Sequence, residues 1–478
     1  MAQGHVETTE YDVVVLGAGP VGENVADRVR AAGLSCAVVE SELIGGECSY
    51  WACMPSKALL RPVIARSDAR KVPGLSAAVQ GPLDAAAVLA NRDAFTSHWK
   101  DDGQAAWLDG IGVRIYRGHG SLDGTRRVKV KGPEGERHVL TARHAVAVCT
   151  GTRAALPDLP GLTGARAWTS REATSAQSVP GRLIVVGGGV VATEMATAWQ
   201  ALGAQVTLLV RGSGLLPKME PFCGELVAEA LREAGADVRT GTSATSVSRS
   251  GDTVTVTLDD GSTLEAEELL IATGRAPRTD DIGLESVGIT PGRYLDVDES
   301  CRVVGSDWLY AVGDANGRAL LTHQGKYQAR IAGAAIVARA QGVPLLETDR
   351  WGAHAATADH DAVTQVVFTD PEVASVGPSL AEAERSGRKV RAVDYDMGSV
   401  AGASLYAEGY RGKARMLVDP DREVLIGVTF AGPGAGELIQ AAAIAVAGEV
   451  PIDRLWHAVP AYPTISEVWL RLLETYRG

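Results

Sequence analysis

The apolar run at residues 13–16 is unbroken, as in a strand buried on both faces, and it meets Gly17-Ala18-Gly19-Pro20-Val21-Gly22. A helical stretch to about residue 32 and a second strand from about residue 36 to 39 complete a predicted β-α-β unit. The same order returns at residues 183–186, followed by Gly187-Gly188-Gly189-Val190-Val191-Ala192, a helix through about residue 202 and a strand at about 205–210. Between and after these units lie β-rich stretches such as residues 254–265, with an Asp260-Gly261 turn. Each feeds a short apolar strand closed by Thr-Gly, at Cys149-Thr150-Gly151 and Ala272-Thr273-Gly274. From about residue 351 the pattern shifts to strands and an Ala-rich helix at 437–447 with no further glycine cluster, which predicts a separate C-terminal domain.

Glycines at such a strand-to-helix junction let a backbone approach a pyrophosphate, and the helix N-terminus supplies unpaired N–H groups and the positive end of its dipole. A tight turn without a ligand is the competing reading of one cluster. Two clusters, 170 residues apart, favour two dinucleotide-binding folds.

Composition narrows the classes. A length of 478 residues suggests roughly three domains of about 150 residues. The balance of 46 Lys and Arg against 58 Asp and Glu, a net charge of −12, argues against a nucleic-acid partner. Six cysteines are too sparse for a disulfide framework, so a reducing compartment is expected. The opening residues are polar, and the apolar run at 441–447 is far too short to span a membrane, so a soluble, cytoplasmic protein is expected.

Only Cys48 and Cys53 are close in sequence. In an ideal helix five residues rise about 7.5 Å, beyond the roughly 4.4–6.8 Å between the Cα atoms of a disulfide, so bridging them demands a distorted turn. Such a bond would be readily reduced, and a nearby helix N-terminus would favour thiolate. Two unpaired buried cysteines in a helix are the competing reading.

The segment GGECSYWACMPSK (residues 45–57), placed directly after the first β-α-β unit, resembles the class I pyridine nucleotide-disulfide oxidoreductases, among them glutathione reductase, dihydrolipoamide dehydrogenase and mercuric reductase. The likeness runs from about residue 12 to 467 and includes LYAVGDANG (309–317), VFTDPEVASVG (367–377) and YPTISE (462–467). It implies two Rossmann-like domains and a C-terminal α+β domain. Residues 1–153 and 281–350 would bind FAD, 154–280 a nicotinamide nucleotide, and 351–478 would form a homodimer. Gly17, Gly19, Gly22, Gly46, Thr150, Gly151, Gly313 and Asp314 would contact FAD; Gly187, Gly189 and Gly274 would serve the nucleotide side. The resemblance casts Cys48 as the thiol exchanging with substrate and Cys53 as the thiolate against the flavin. Lys57 would pair with Glu194 and place a cation near the flavin, where it stabilises the reduced ring. A solvated helix lysine is the alternative.

Glu40 lies 23 residues past Gly17, where a carboxylate can accept from the ribose of FAD. The same offset from Gly187 lands on Val210, followed by Arg211 and Lys218. The missing acid and added cations favour NADPH over NADH, because Arg grips a phosphate bidentately; two surface cations are the competing reading, and NADH stays possible.

Disulfide-reducing relatives carry a histidine before Pro-Thr, oriented by a glutamate. The corresponding residues here are Tyr462 and Glu467. A free tyrosine titrates near 10, so Tyr462 suits hydrogen-bond donation better than proton abstraction. His457 does not align with that position and reads as an ordinary histidine. Mercuric reductases are similar in carrying tyrosine in this region but end in a cysteine pair, whereas the last cysteine here is Cys301. Tyr50 and Trp51, between the redox cysteines, are bulkier than the residues usual there, and either pack on the flavin side, narrow the mouth or pack into the core. The expected function is electron transfer from NADPH through flavin and the Cys48/Cys53 pair to a small-molecule acceptor. Direct flavin reduction of quinones or metal ions, or a redox-sensing flavoprotein, are the alternatives. No metal site is expected.

Overall fold

The computed structural model describes residues 7–345 and 348–478; part of the polar opening segment, residues 1–6, lies outside them. The chain divides into two units, one of residues 1–54, 96–153 and 275–360, the other of 55–95, 154–274 and 361–478.

The first unit is built on a seven-stranded sheet. Its strand order is Arg114–Arg117, Cys36–Glu40, Glu7–Leu16, Arg137–Val148, Arg127–Lys131 and His119–Leu122, with Leu309–Ala311 also paired to Arg137–Val148. Strand β1 (Glu7–Leu16) runs parallel to β2 (Cys36–Glu40) through the crossover helix α1 (Pro20–Ala31). Val13, Val14 and Val15 have no exposed surface, as expected of a central parallel strand covered on both faces. One face is covered by α1 and the helix Thr322–Ala340, with Val25, Val29, Ala329 and Ile336 in a shared core.

The second unit holds a four-stranded parallel sheet in the order Asp237–Thr240, Gln205–Val210, Arg182–Val186, Glu268–Ile271. Its crossover helix, Val190–Leu202, buries Trp199 completely. A three-stranded antiparallel sheet of Ala244–Ser250, Thr253–Leu258 and Thr263–Ala266 contains the Asp260-Gly261 turn. A five-stranded antiparallel sheet of Thr364–Val367, Val373–Val376, Val424–Ala431, Lys413–Asp419 and Arg391–Asp396 carries the Ala-rich helix Ala435–Ala447. Both β-α-β units and the C-terminal α+β layer thus form as the apolar pattern predicts. No helix among the described residues is long and apolar enough to cross a membrane.

Candidate active site

The first glycine cluster is forced by sterics. Gly17 has φ +93°, and a Cβ on it would lie 2.5 Å from the Cys149 carbonyl oxygen; one on Gly22 would lie 1.9 Å from the Gly17 oxygen. Gly19 caps α1 without a side-chain hydrogen bond and Pro20 follows at its first turn, which leaves the helix N-terminus open to an anion. Glu40, at the end of β2, accepts the Ala18 N–H at 2.7 Å and the Glu42 N–H at 2.8 Å. Burial pushes its carboxyl upward, and these two backbone bonds oppose that.

The segment carrying the cysteines is moored to this loop. The Gly45 N–H donates to the Ala18 carbonyl at 2.8 Å. Gly46 has φ +56°, and a Cβ on it would stand 2.9 Å from the Gly19 Cα. Helix α2 (Gly46–Tyr50) holds Cys48; the chain then breaks, and α3 (Cys53–Arg70) begins at Cys53 itself. The distorted turn that the five-residue spacing demands is therefore present. Both cysteines are thiols here. The Cys53 sulfur lies 3.3 Å from the Thr322 hydroxyl, at the start of the helix Thr322–Ala340. Cys48 is hydrogen-bonded to Cys53 and to Thr322; its pKa is raised first by the bond to Cys53 and then by burial, while Thr322 and Lys326 act in the opposite direction. At Cys48 the bond to Cys53 and burial together outweigh the thiolate preference expected at a helix N-terminus. Tyr50 is 1% exposed and its ring stands edge-on to Trp51, so Tyr50 is a core residue.

Around these groups the first unit leaves polar atoms without partners. Thr150 Oγ1 and Glu23 Oε1 are buried and unpartnered among the described residues. Asp314 accepts the Thr152 hydroxyl at 2.6 Å, and burial raises its carboxyl. Gly151 and Gly313 have φ of +70° and +75° in the turns that follow Arg137–Val148 and Leu309–Ala311. Orphaned polar atoms beside an uncapped helix start and a glycine cradle fit FAD.

In the second unit, Lys57 donates to both Glu194 oxygens at 3.1 and 2.8 Å. Gly187 and Gly189 form the second strand-to-helix turn, and the helix Val190–Leu202 also starts without a side-chain cap, which fits a nicotinamide nucleotide. Gly274 has φ +144° and its carbonyl accepts the Ala155 N–H at 2.9 Å. Arg211 and Lys218 are exposed in the loop after Gln205–Val210. Tyr462 is 76% exposed, whereas Glu467 is buried and accepts from Arg471 at 2.6 Å, so no bond joins the two. Sequence reading missed Thr322, which meets both sulfurs although it lies about 270 residues away in the chain, and Phe368, whose N–H and ring both serve the Lys57–Glu194 pair. Long-range partners of this kind leave no local signal.

Comparison with known proteins identifies the family. Residues 11–342 match the model for pyridine nucleotide-disulphide oxidoreductases, and residues 363–472 the model for the dimerisation domain of that family. The chain is 32% identical over 464 residues to a mercuric reductase of Acidithiobacillus ferrooxidans, covering 96% of this chain and 81% of that one. It is 29% identical over 495 residues to dihydrolipoyl dehydrogenase 2 of Haloarcula marismortui, covering 98% of each. Among solved structures, LpdA from Mycobacterium tuberculosis superposes with a TM-score of 0.82 at 26% identity, covering 98% of this chain and 99% of that one. The HOCl-induced flavoprotein disulfide reductase RclA from Escherichia coli, solved as a Cu(II) complex, reaches 0.82 at 21% identity over 98% and 99% of the two chains. The two glycine turns, the paired cysteines and the matched dimerisation domain place this chain in the class I pyridine nucleotide-disulfide oxidoreductases, a family of FAD-dependent enzymes that use a nicotinamide nucleotide.

Proposed function

We propose that the enzyme takes electrons from NADPH and delivers them through the Cys48/Cys53 pair to a disulfide or other small-molecule acceptor. The observation that carries this reading is the meeting of both sulfurs at one hydroxyl, Thr322, in the unit that contains the FAD-fitting cradle. Bound FAD would supply the two-electron relay between nucleotide and sulfur. Reduction opens the Cys48–Cys53 bond to two thiols. Cys48 then attacks an acceptor disulfide and one acceptor thiol leaves; Cys53 attacks the mixed disulfide, releasing the second thiol and closing the bond. Thr322 lies within reach to donate to a thiolate on either sulfur. Lys57, held by Glu194, supplies a fixed cation. Tyr462, in the histidine's place, donates a hydrogen bond to the leaving sulfur.

On this reading residues 1–153 and 281–350 hold FAD, residues 154–280 the nucleotide, and 351–478 the contact with a second copy. The exposure of Val459 (85%) and Tyr462 (76%) supports a homodimer in which each copy's Tyr462 and Glu467 complete the opposite site. Arg211 and Lys218 receive the extra phosphate of NADPH. Replacing both by Ala should raise the KM for NADPH about tenfold or more with little change for NADH; equal effects on the two would remove the NADPH assignment.

Anaerobic alkylation tests the electron path. As purified, Cys48 and Cys53 should resist iodoacetamide, and one equivalent of NADPH should make both reactive. In Cys53→Ser, Cys48 should react without NADPH. Equal labelling of the wild type before and after NADPH would reject the path. Tyr462 in place of a histidine acid favours one alternative, direct reduction of quinones or metal ions. There Cys48→Ser would keep its turnover.

A further inference from the structure

The broken helix between the cysteines hands one of its carbonyls to an indole. Building on the redox role proposed for the pair, we infer that Trp99 is a positioning residue that holds the Cys48–Cys53 turn in its bent form and so sets how readily the pair is reduced.

An uninterrupted helix would bond the Tyr50 carbonyl to the N–H four residues on. Instead Trp51 leaves helical geometry at φ −137° and ψ 4°, and α3 starts afresh at Cys53. The Trp99 Nε1–H donates to the Tyr50 carbonyl at 3.0 Å. The residues after Trp99 grip both ends of α2. The Tyr50 hydroxyl lies 3.0 Å from Gln104 Oε1 and 3.3 Å from the Lys100 carbonyl. Asp101 accepts the Ile44 N–H at 2.7 Å, two residues before α2 begins, and is itself held by Arg117 at 2.5 Å.

The clamp is itself under conformational tension. Ser97, His98 and Trp99 have φ of 51°, 51° and 55°, three successive non-glycine residues in the left-handed region. Such a run persists only where its surroundings over-determine it. The bonds from Trp99, Lys100 and Asp101 to the redox turn are part of those surroundings. Tyr50 and Trp51 thereby acquire a common role. One ring anchors the turn to the clamp, and the other packs edge-on against it at 5.7 Å.

The direction of the effect follows from geometry. A released turn can recover a continuous helix, in which the axial rise alone separates the two Cα atoms by about 7.5 Å, beyond disulfide reach. The dithiol tolerates either form and the disulfide only the bent one, so loss of the clamp favours the dithiol. The net contribution of one hydrogen bond corresponds to on the order of fivefold in the equilibrium constant, or about 20 mV for a two-electron couple.

The holoenzyme should be equilibrated in stepped glutathione buffers, acid-quenched, alkylated and its free thiols counted by mass. The measured exchange is the Cys48–Cys53 disulfide plus two glutathione thiols giving two cysteine thiols and glutathione disulfide. Trp99→Phe, which keeps a ring but removes the donor, should reach its midpoint at about fivefold less reducing buffer than the wild type. Tyr50→Phe should shift the same way by less. Trp107→Phe, an exposed indole on the helix Asp102–Gly110, should not shift. Midpoints of Trp99→Phe that coincide with the wild type overturn the inference; if that variant does not fold, coincidence for Tyr50→Phe overturns it instead. A wild type with no glutathione-dependent transition overturns the redox role, and this inference with it.

Discussion

Lys57 Nζ lies 2.8 Å from Glu194 Oε2 and 4.9 Å from the centre of the Phe368 ring, and Glu194 also accepts the Phe368 N–H at 3.0 Å. Glu194 is 3% exposed, so its charge is affordable only while these donors stay in place. Glu194→Ala should destabilise the protein by about 2–3 kcal/mol in urea denaturation, leaving Lys57 without its counter-charge. Adding Lys57→Met should recover part of that loss, because the unpaired cation goes with it. Additive losses in the double variant would show that the pair is not coupled.

Thr322 is the shared neighbour of both sulfurs, and its hydroxyl lowers the Cys48 pKa. In the reduced enzyme, Thr322→Ala should move the pH profile of Cys48 alkylation upward by about half a unit to one unit, equivalent to a hydrogen bond of about 1 kcal/mol. Thr322→Ser should restore the original profile. Identical profiles for all three would leave the hydroxyl without influence on the thiols.

The two glycines of the second fingerprint separate folding from binding. A Cβ on Gly187, at φ +139°, would lie 2.3 Å from the Ala272 carbonyl oxygen, whereas one on Gly189 meets nothing within 4 Å. Gly187→Ala should therefore lower the melting temperature or prevent folding. Gly189→Ala should melt like the wild type, yet raise the KM for the nicotinamide nucleotide at least tenfold by filling the space its pyrophosphate needs. An unchanged KM would place the nucleotide elsewhere.

Burial raises the Glu23 carboxyl from 4.5 to about 7, with Lys326 opposing the shift and Glu40 adding to it. The folded pKa exceeds the unfolded one, so the folded state binds the proton more tightly. The associated stability is complete below about pH 4.5 and is lost as pH rises through about 7. Glu23→Gln should remove this component. The difference in unfolding free energy between variant and wild type should then grow by about 1–3 kcal/mol between pH 4.5 and 7.5. A difference that does not change with pH would contradict the raised carboxyl.

Local pattern alone was enough for both β-α-β units, the Asp260-Gly261 hairpin and the Ala-rich helix Ala435–Ala447, because each is set by short-range periodicity and by turns that only glycine tolerates. The spacing of Cys48 and Cys53 was also sufficient to require a break in the helix, since that follows from helical rise. It could not say what holds the break open. That was decided by Trp99, Lys100 and Asp101, which approach the redox turn from about 50 residues away, and by Thr322 from about 270 residues away. Phe368 likewise reaches the Lys57–Glu194 pair only through the fold. A hydrogen bond depends on distance in space, and separation in sequence carries no record of it until the sheets and their covering helices bring those segments together.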